Sequence, residues 1–324
     1  MCAIFGYLDY KGIVGNSVLK RLIKSLSVEA EVRGTDATGI SYVKDGGIVT
    51  FKKPKPAHKV KLYFPKETRA VIGHTRMTTQ GDEKHNYNNH PFEGRCGKEN
   101  FALAHNGVLY NDDKLKKQYS LPATHIETDT YVAVQLLEQE ESLTAESIAR
   151  MSELVSGSFV FTILRDDNTL FLVKGSNPLT VYHFETLGLY VYASTKSILD
   201  NALRFSGLTY KKREIEVTEG DILEISPDGK VSTTAFDVPD SFQSFFNPFT
   251  WRTAYADWYG EEETGDLLME YCKMFGVSEE DVELLLEYGY DADAIEEMLM
   301  DTTLLEETLA EIRSCYYITD GGDT

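Results

Sequence analysis

The chain has 324 residues, 42% of them hydrophobic, enough for one large domain and a smaller appendage, and it carries a formal charge of −20. Nearly all of that charge sits at one end: residues 1–256 hold 31 acidic and 30 basic side chains, residues 257–324 hold 21 and 2. A surface of this sign repels nucleic acid and anionic lipid, and no apolar run approaches the length of a membrane span, so the cytoplasm is the expected compartment and a basic protein the expected docking partner.

The chain opens on "MCAIFGY", a strand-like run behind Cys2. An ordinary cysteine, with a pKa of about 8.5, is mostly protonated at neutral pH and needs a base before it can attack. Removal of Met1, which a small second residue permits, would expose the Cys2 α-amine, a base of pKa about 8, beside its own sulfur. On its own, Cys2 reads either as such a nucleophile or as a small buried apolar residue at a strand start. The four cysteines, Cys2, Cys96, Cys272 and Cys315, contain no CxxC pair, which argues against a zinc ribbon or a secreted disulfide framework.

Next, "NSVLKRLIKSL" places Leu19, Leu22, Ile23 and Leu26 at helical spacing behind Asn16 or Ser17 as cap. "DTYVAVQLLEQ" and "TAESIARMSELV" predict two further amphipathic helices. Around them lie the strand-like runs "RAVIGHTR", "FALAHNG", "SFVFTIL", "TLFLVKG", "LTVYHF", "LYVYAST" and "DILEIS". Short turn clusters such as "RDDN" favour antiparallel pairing over βαβ alternation, so the first 236 residues read as an α+β domain with helices packed on sheets. Residues 237–264 are aromatic but aperiodic and read as a linker. In the remaining residues 265–324, Leu268, Tyr271 and Phe275 fit a short helix. "SEED" offers a capping box from Ser278 to Asp281, and Val282, Leu285 and Leu286, then Ile295, Met298 and Leu299, then Leu305, Thr308, Leu309 and Ile312, form successive apolar stripes.

Several strand ends carry residues suited to chemistry. Arg76 in "GHTRMTTQG" suits a substrate carboxylate, which a guanidinium grips bidentately; alternatively it is a solvated strand end. Asn106 and Gly107 in "AHNG" offer an amide side chain and a backbone N–H to a tetrahedral oxyanion, or else an ordinary hairpin turn. Asp129 in "ETDT" stands before a helix, where a carboxylate either caps the helix or holds a substrate ammonium. His85 and His90 have spacing tolerable for a metal pair, but no third ligand is evident, so no metal is assigned. His74 and His105, in the strand-end motifs, are expected to orient the site by hydrogen bonds.

Together these segments resemble the class II glutamine amidotransferases, the N-terminal nucleophile family that includes the glutaminase domains of glucosamine-6-phosphate synthase and amidophosphoribosyltransferase. The resemblance runs from Met1 to about Ala235 through "MCAIFGY", "RGTDATG", "GHTRMTTQG", "NNHP", "HNGVLYN" and "ETDT", in that order. It implies a four-layer αββα sandwich, here followed by a small acidic helical region. It also implies that Cys2 attacks the glutamine amide to give a γ-glutamyl thioester and ammonia, with its α-amine managing the protons. In that scheme Asn106 and Gly107 stabilise the oxyanion, Arg76 and Asp129 hold the α-carboxylate and α-ammonium, and Thr79 touches glutamine. Arg33, Gly34, Met77, Gln80 and His105 support the site, and no cofactor is needed.

Departures from the family pattern are Ala3 for the usual Gly, and Met77 and Gln80 where the glucosamine synthase has Trp and His. They bear on how the glutamine pocket closes and meets an acceptor. No synthase or isomerase region follows, so the expectation is a free-standing glutaminase that passes ammonia to an acceptor enzyme on another chain. The alternatives are an amidohydrolase acting on γ-glutamyl or other small amides, and a catalytically vestigial adaptor. "VELLLEYGYDADAIEEMLMD" resembles a ubiquitin-associated-like three-helix module, with a small helical bundle as the other reading.

Overall fold

The computed structural model describes residues 2–238 and, beyond them, 272, 277–290, 295, 298, 305, 308–310, 312 and 313. In chain order the elements are β1 (Ala3–Asp9), α1 (Asn16–Glu29), β2 (Ala37–Lys44), β3 (Gly47–Lys53), β4 (Ala70–Arg76), β5 (Phe92–Cys96), β6 (Glu99–Leu109), α2 (Asp112–Gln118), α3 (Tyr131–Glu138) and α4 (Ala145–Leu154). They continue with β7 (Gly157–Arg165), β8 (Leu170–Lys174), β9 (Thr180–Phe184), β10 (Leu189–Ala193), α5 (Lys196–Ser206), β11 (Arg213–Ile215), β12 (Asp221–Ile225), β13 (Val231–Ala235) and α6 (Glu279–Glu287).

Strand pairing sorts these into a seven-stranded sheet of order β11-β9-β10-β1-β4-β2-β3 and a six-stranded sheet of order β13-β12-β8-β7-β6-β5, with antiparallel pairing throughout. Alternation along each strand sends side chains to both faces, and both faces are buried. Ile4, Leu8 and Ile72 of the first sheet pack against Ala104, Val160 and Leu172 of the second, forming the middle of the domain. On its other face the first sheet packs Phe5, Tyr7 and Val191 against Leu22 and Ile23 of α1 and Leu199 of α5. The second sheet packs Phe101, Phe161 and Val173 against Val134 of α3 and Ile148 of α4. The layers therefore run helix, sheet, sheet, helix, the αββα arrangement.

Three local expectations change. Helix α1 begins at Asn16 with Gly15 in the cap position and no side-chain cap bond, so neither Asn16 nor Ser17 caps it. "AHNG" does not end a strand: β6 continues to Leu109, with Asn106 opposite Val160 and Gly107 opposite Phe159. Gly107 makes this possible, because it sits at φ +147 where a Cβ would lie 1.8 Å from the Ser158 carbonyl oxygen. In the C-terminal stripes Val282 and Leu285 are buried but Leu286 is 42% exposed.

The chain divides into two compact units, residues 1–239 and 240–324. In the second, Ser278 caps α6, its hydroxyl accepting the Asp281 N–H, and Cys272, Val282, Leu285, Ile295, Met298, Leu305, Leu309 and Ile312 share an apolar cluster. The expected linker from residue 239 on, the stripe of Leu268, Tyr271 and Phe275, Leu299 and Cys315 lie outside the described residues. Among the described residues no helix is long and apolar enough to cross a membrane.

Candidate active site

Pairing of Ala3 with Thr75 brings the start of β1 against the end of β4, so Cys2 lies beside the residue that follows Arg76. The Met77 N–H points to the Cys2 sulfur at 3.4 Å, and the Met77 carbonyl is 3.4 Å from the same sulfur. Arg33 Nε donates to the Cys2 carbonyl at 2.9 Å. Gly34 permits this crowding, since a Cβ there would fall 2.4 Å from the Arg76 carbonyl carbon. Two residues on, Asp36 accepts the Thr78 N–H at 2.8 Å and gives its own N–H to the Arg76 carbonyl at 2.9 Å. The turn from Arg33 to Asp36 thus fixes both the nucleophile and the loop opposite it.

Arg76 is not a solvated strand end; it is 2% exposed. Its Nη1 donates to Asn89 Oδ1 at 2.7 Å, and its Nη2 donates to the carbonyls of Gln80 and, at 3.0 Å, Gly81. The guanidinium therefore shapes the 77–81 loop besides placing a positive charge near Cys2. Asn88 joins this loop to "ETDT": its Oδ1 accepts the Glu127 N–H at 2.9 Å, its Nδ2 donates to the Glu127 carboxylate at 2.8 Å, and its carbonyl accepts the Thr128 hydroxyl at 2.8 Å. Asp129 follows, 3% exposed, with Oδ2 accepting the Leu109 N–H of β6 at 2.6 Å. Helix α3 has no side-chain cap bond, so capping is not what Asp129 does.

Burial is the largest influence on Cys2 and raises its thiol pKa above the ordinary value; the Met77 N–H and the Arg76 charge oppose it and the Asp129 charge reinforces it. Both charges are thus within electrostatic reach of the sulfur. Asn106 is fully buried, and neither its Oδ1 nor its Nδ2 has a hydrogen-bond partner. Buried amides are normally satisfied, so one with both ends open is a place where a further polar group fits.

The fold brings together Cys2, Arg33, Gly34, Arg76 and the Met77 backbone on one side, and Asn106, Gly107, His105 and Asp129 on the other. His74 spans the two, its ring Nε2 2.9 Å from the His105 carbonyl. Thr79 and the Gln80 and Met77 side chains stand exposed in the loop, Gln80 contributing its carbonyl to Arg76. His85 is exposed and stacked on Tyr87, whereas His90 is buried against Thr130. Sequence reasoning passed over Asp36, Asn88, Asn89 and Thr130. All four lie inside the quoted motifs, and that placement is the available signal.

Residues 74–201 match a family model described as a glutamine amidotransferase domain. The chain is 34% identical over 189 residues to the glutamine–fructose-6-phosphate aminotransferase (isomerizing) of Geobacillus kaustophilus, covering 56% of this chain and 30% of that protein. It is 32% identical over 246 residues to the same enzyme of Bacillus subtilis, covering 72% and 39%. The chain carries a class II glutamine amidotransferase domain. The amidotransferase domain also shares its fold with the solved glutamine phosphoribosylpyrophosphate amidotransferase of B. subtilis, with a TM-score of 0.57 and 22% identity over 73% of this chain and 49% of that one. The curated relatives extend well beyond the matched region, of which this chain spans 30% to 39% of their length.

Proposed function

We propose that this domain hydrolyses glutamine to glutamate and ammonia with Cys2 as nucleophile. Burial holds the thiol protonated, so the reaction needs a base at the sulfur, and removal of Met1 supplies one in the Cys2 α-amine. The amine takes the thiol proton as sulfur bonds to the side-chain amide carbon. Negative charge then moves to the amide oxygen, which Asn106 Nδ2 and the Gly107 N–H receive. Collapse breaks the C–N bond, the proton passes from the ammonium to the leaving nitrogen, and ammonia departs from a γ-glutamyl thioester. Water, deprotonated by the same amine, adds to the thioester; the C–S bond breaks, and glutamate and the thiol are restored. Arg76 receives the α-carboxylate, Asp129 the α-ammonium, and Thr79 borders the entering side chain.

The observation that carries this reading is the buried Asn106 amide with both ends open, on the strand tied to Asp129. The test is glutamate release by the purified protein. Cys2→Ala should abolish it, and a diazo-ketone analogue of glutamine should label the mature N-terminal cysteine. Turnover in Cys2→Ala equal to wild type would end the proposal.

The ammonia is delivered to an acceptor enzyme on another chain, docked in part through the acidic C-terminal unit. Supporting this is that unit's composition, 21 acidic to 2 basic residues over 257–324, which favours a basic surface. Native purification at low salt should return a chain that raises glutamine turnover and dissociates as salt is raised. A partner that stimulates equally at all salt concentrations would remove the electrostatic docking.

A further inference from the structure

Three of the motifs meet at one hydroxyl. Thr130, 1% exposed, places Oγ1 2.8 Å from His105 Nδ1 and 3.0 Å from His90 Nε2. A hydroxyl has one hydrogen to give, so the arrangement has a direction. His105 Nε2 faces the Ser158 carbonyl at 3.3 Å. A carbonyl only accepts, so Nε2 carries the proton and Nδ1 is bare. The Thr130 hydrogen therefore goes to His105 Nδ1 rather than to Asp129 Oδ1, which lies farther off at 3.4 Å. His90 must then donate from Nε2 to the Thr130 oxygen, leaving its Nδ1 bare, and His90 Nδ1 is indeed buried without a hydrogen-bond partner. His74, stacked on His90 with ring centroids 4.2 Å apart, gives Nε2–H to the His105 carbonyl.

Residue 105 is thereby held at its side chain by Thr130 and at its carbonyl by His74, one position before Asn106. Asn106 has no side-chain bond of its own; its main chain is held by pairing with Val160 and by Asn177 Nδ2, which donates to its carbonyl at 2.9 Å, and the anchoring of residue 105 adds to these in aiming its side chain. Asp129 is different: the Leu109 N–H holds it whether or not Thr130 has a hydroxyl.

We infer that Thr130 is a positioning residue, which through the Nε2–H tautomer of His105 sets Asn106 for the oxyanion without contacting substrate. The inference rests on the glutaminase reading above. A misplacement near 1 Å costs about 100-fold in rate, and partial loosening less. Thr130→Val should therefore lower kcat for glutamine hydrolysis about tenfold or more, with KM changed less than about threefold because Asp129 and Arg76 stay in place. Thr130→Ser should recover most of the loss, and Thr130→Ala, which removes the hydroxyl without filling its space, should repeat it.

Nitrogen-15 NMR of the wild-type imidazoles at pH 7 gives a readout independent of turnover: His105 and His90 should both be Nε2–H, and the His105 signals should lose that single form in Thr130→Val. If wild type releases no glutamate, the glutaminase reading fails and the tautomers still judge the hydrogen-bond assignment. If wild type is active, the inference is overturned by folded Thr130→Val with kcat intact, by Thr130→Ser as slow as Thr130→Val, by a loss confined to KM, or by an Nδ1–H tautomer at His105 in wild type.

Discussion

Three neutral histidines at the centre of the domain make its stability sensitive to acid. His74, His90 and His105 are 1%, 4% and 1% exposed. Burial is the first cause that lowers each pKa: His74 to about 3, His90 well below its ordinary value, and His105 in the same direction. The nearby cations Arg76 and Lys52 lower His74 and His90 further, while Asp129 partly opposes the effect at His105. In the unfolded chain each imidazole titrates near pH 6.5, so below that pH the unfolded state binds protons that the native state refuses. Stability is then fully present above about pH 6.5 and is lost as pH falls, for His74 down toward about 3. At pH 4.5, about two units below the unfolded pKa, His74 alone removes about 2.7 kcal/mol, and His90 and His105 act in the same direction. Even this single contribution is a large fraction of the stability of a domain, about 5–15 kcal/mol. Urea unfolding between pH 7.5 and 5 measures the effect. At pH 5.5 the His74→Phe variant should take up about 0.9 fewer protons on unfolding than wild type, whatever its absolute stability. An unchanged pH slope in that variant, or imidazolium signals from these rings in the native protein at pH 6, would refute the reasoning.

In the proposed reaction the Asn106 amide acts on charge that appears only in the transition state, so Asn106→Ala should lower kcat about 10²- to 10³-fold with little change in KM; steady-state glutamate release checks this. Gly107→Ala would set a Cβ 1.8 Å from the Ser158 carbonyl oxygen at φ +147, so β6 must part from β7. A loss of about 4 kcal/mol or more in urea unfolding is expected. Arg76→Lys keeps the charge but cannot span Asn89, Gln80 and Gly81 together, so KM for glutamine should rise about tenfold or more while the thermal midpoint moves by only a few degrees.

How much of this was legible beforehand depends on whether a residue's partner is near it in sequence. Runs rich in β-branched and aromatic residues such as "SFVFTIL" and "LYVYAST" carry their strand preference with them, and both are strands with antiparallel neighbours. The Ser278 cap works over three residues and is likewise legible. Asn-Gly at 106–107 misleads because a local rule assigns it to a turn, whereas its conformation is set by Ser158 on the next strand. Asp36, Asn88 and Asn89 are harder still. Asp36 holds a backbone N–H 42 residues away, Asn88 holds Glu127 across 39, and Asn89 holds Arg76 across 13. Nothing in a short polar side chain says which distant main-chain atom it will meet; that follows only once two sheets have stacked and their strand ends coincide. The residue types that perform chemistry are few and can be read singly. The residues that hold them at the right distance are ordinary Asp, Asn and Thr, and their role becomes visible only when the fold shows what they touch.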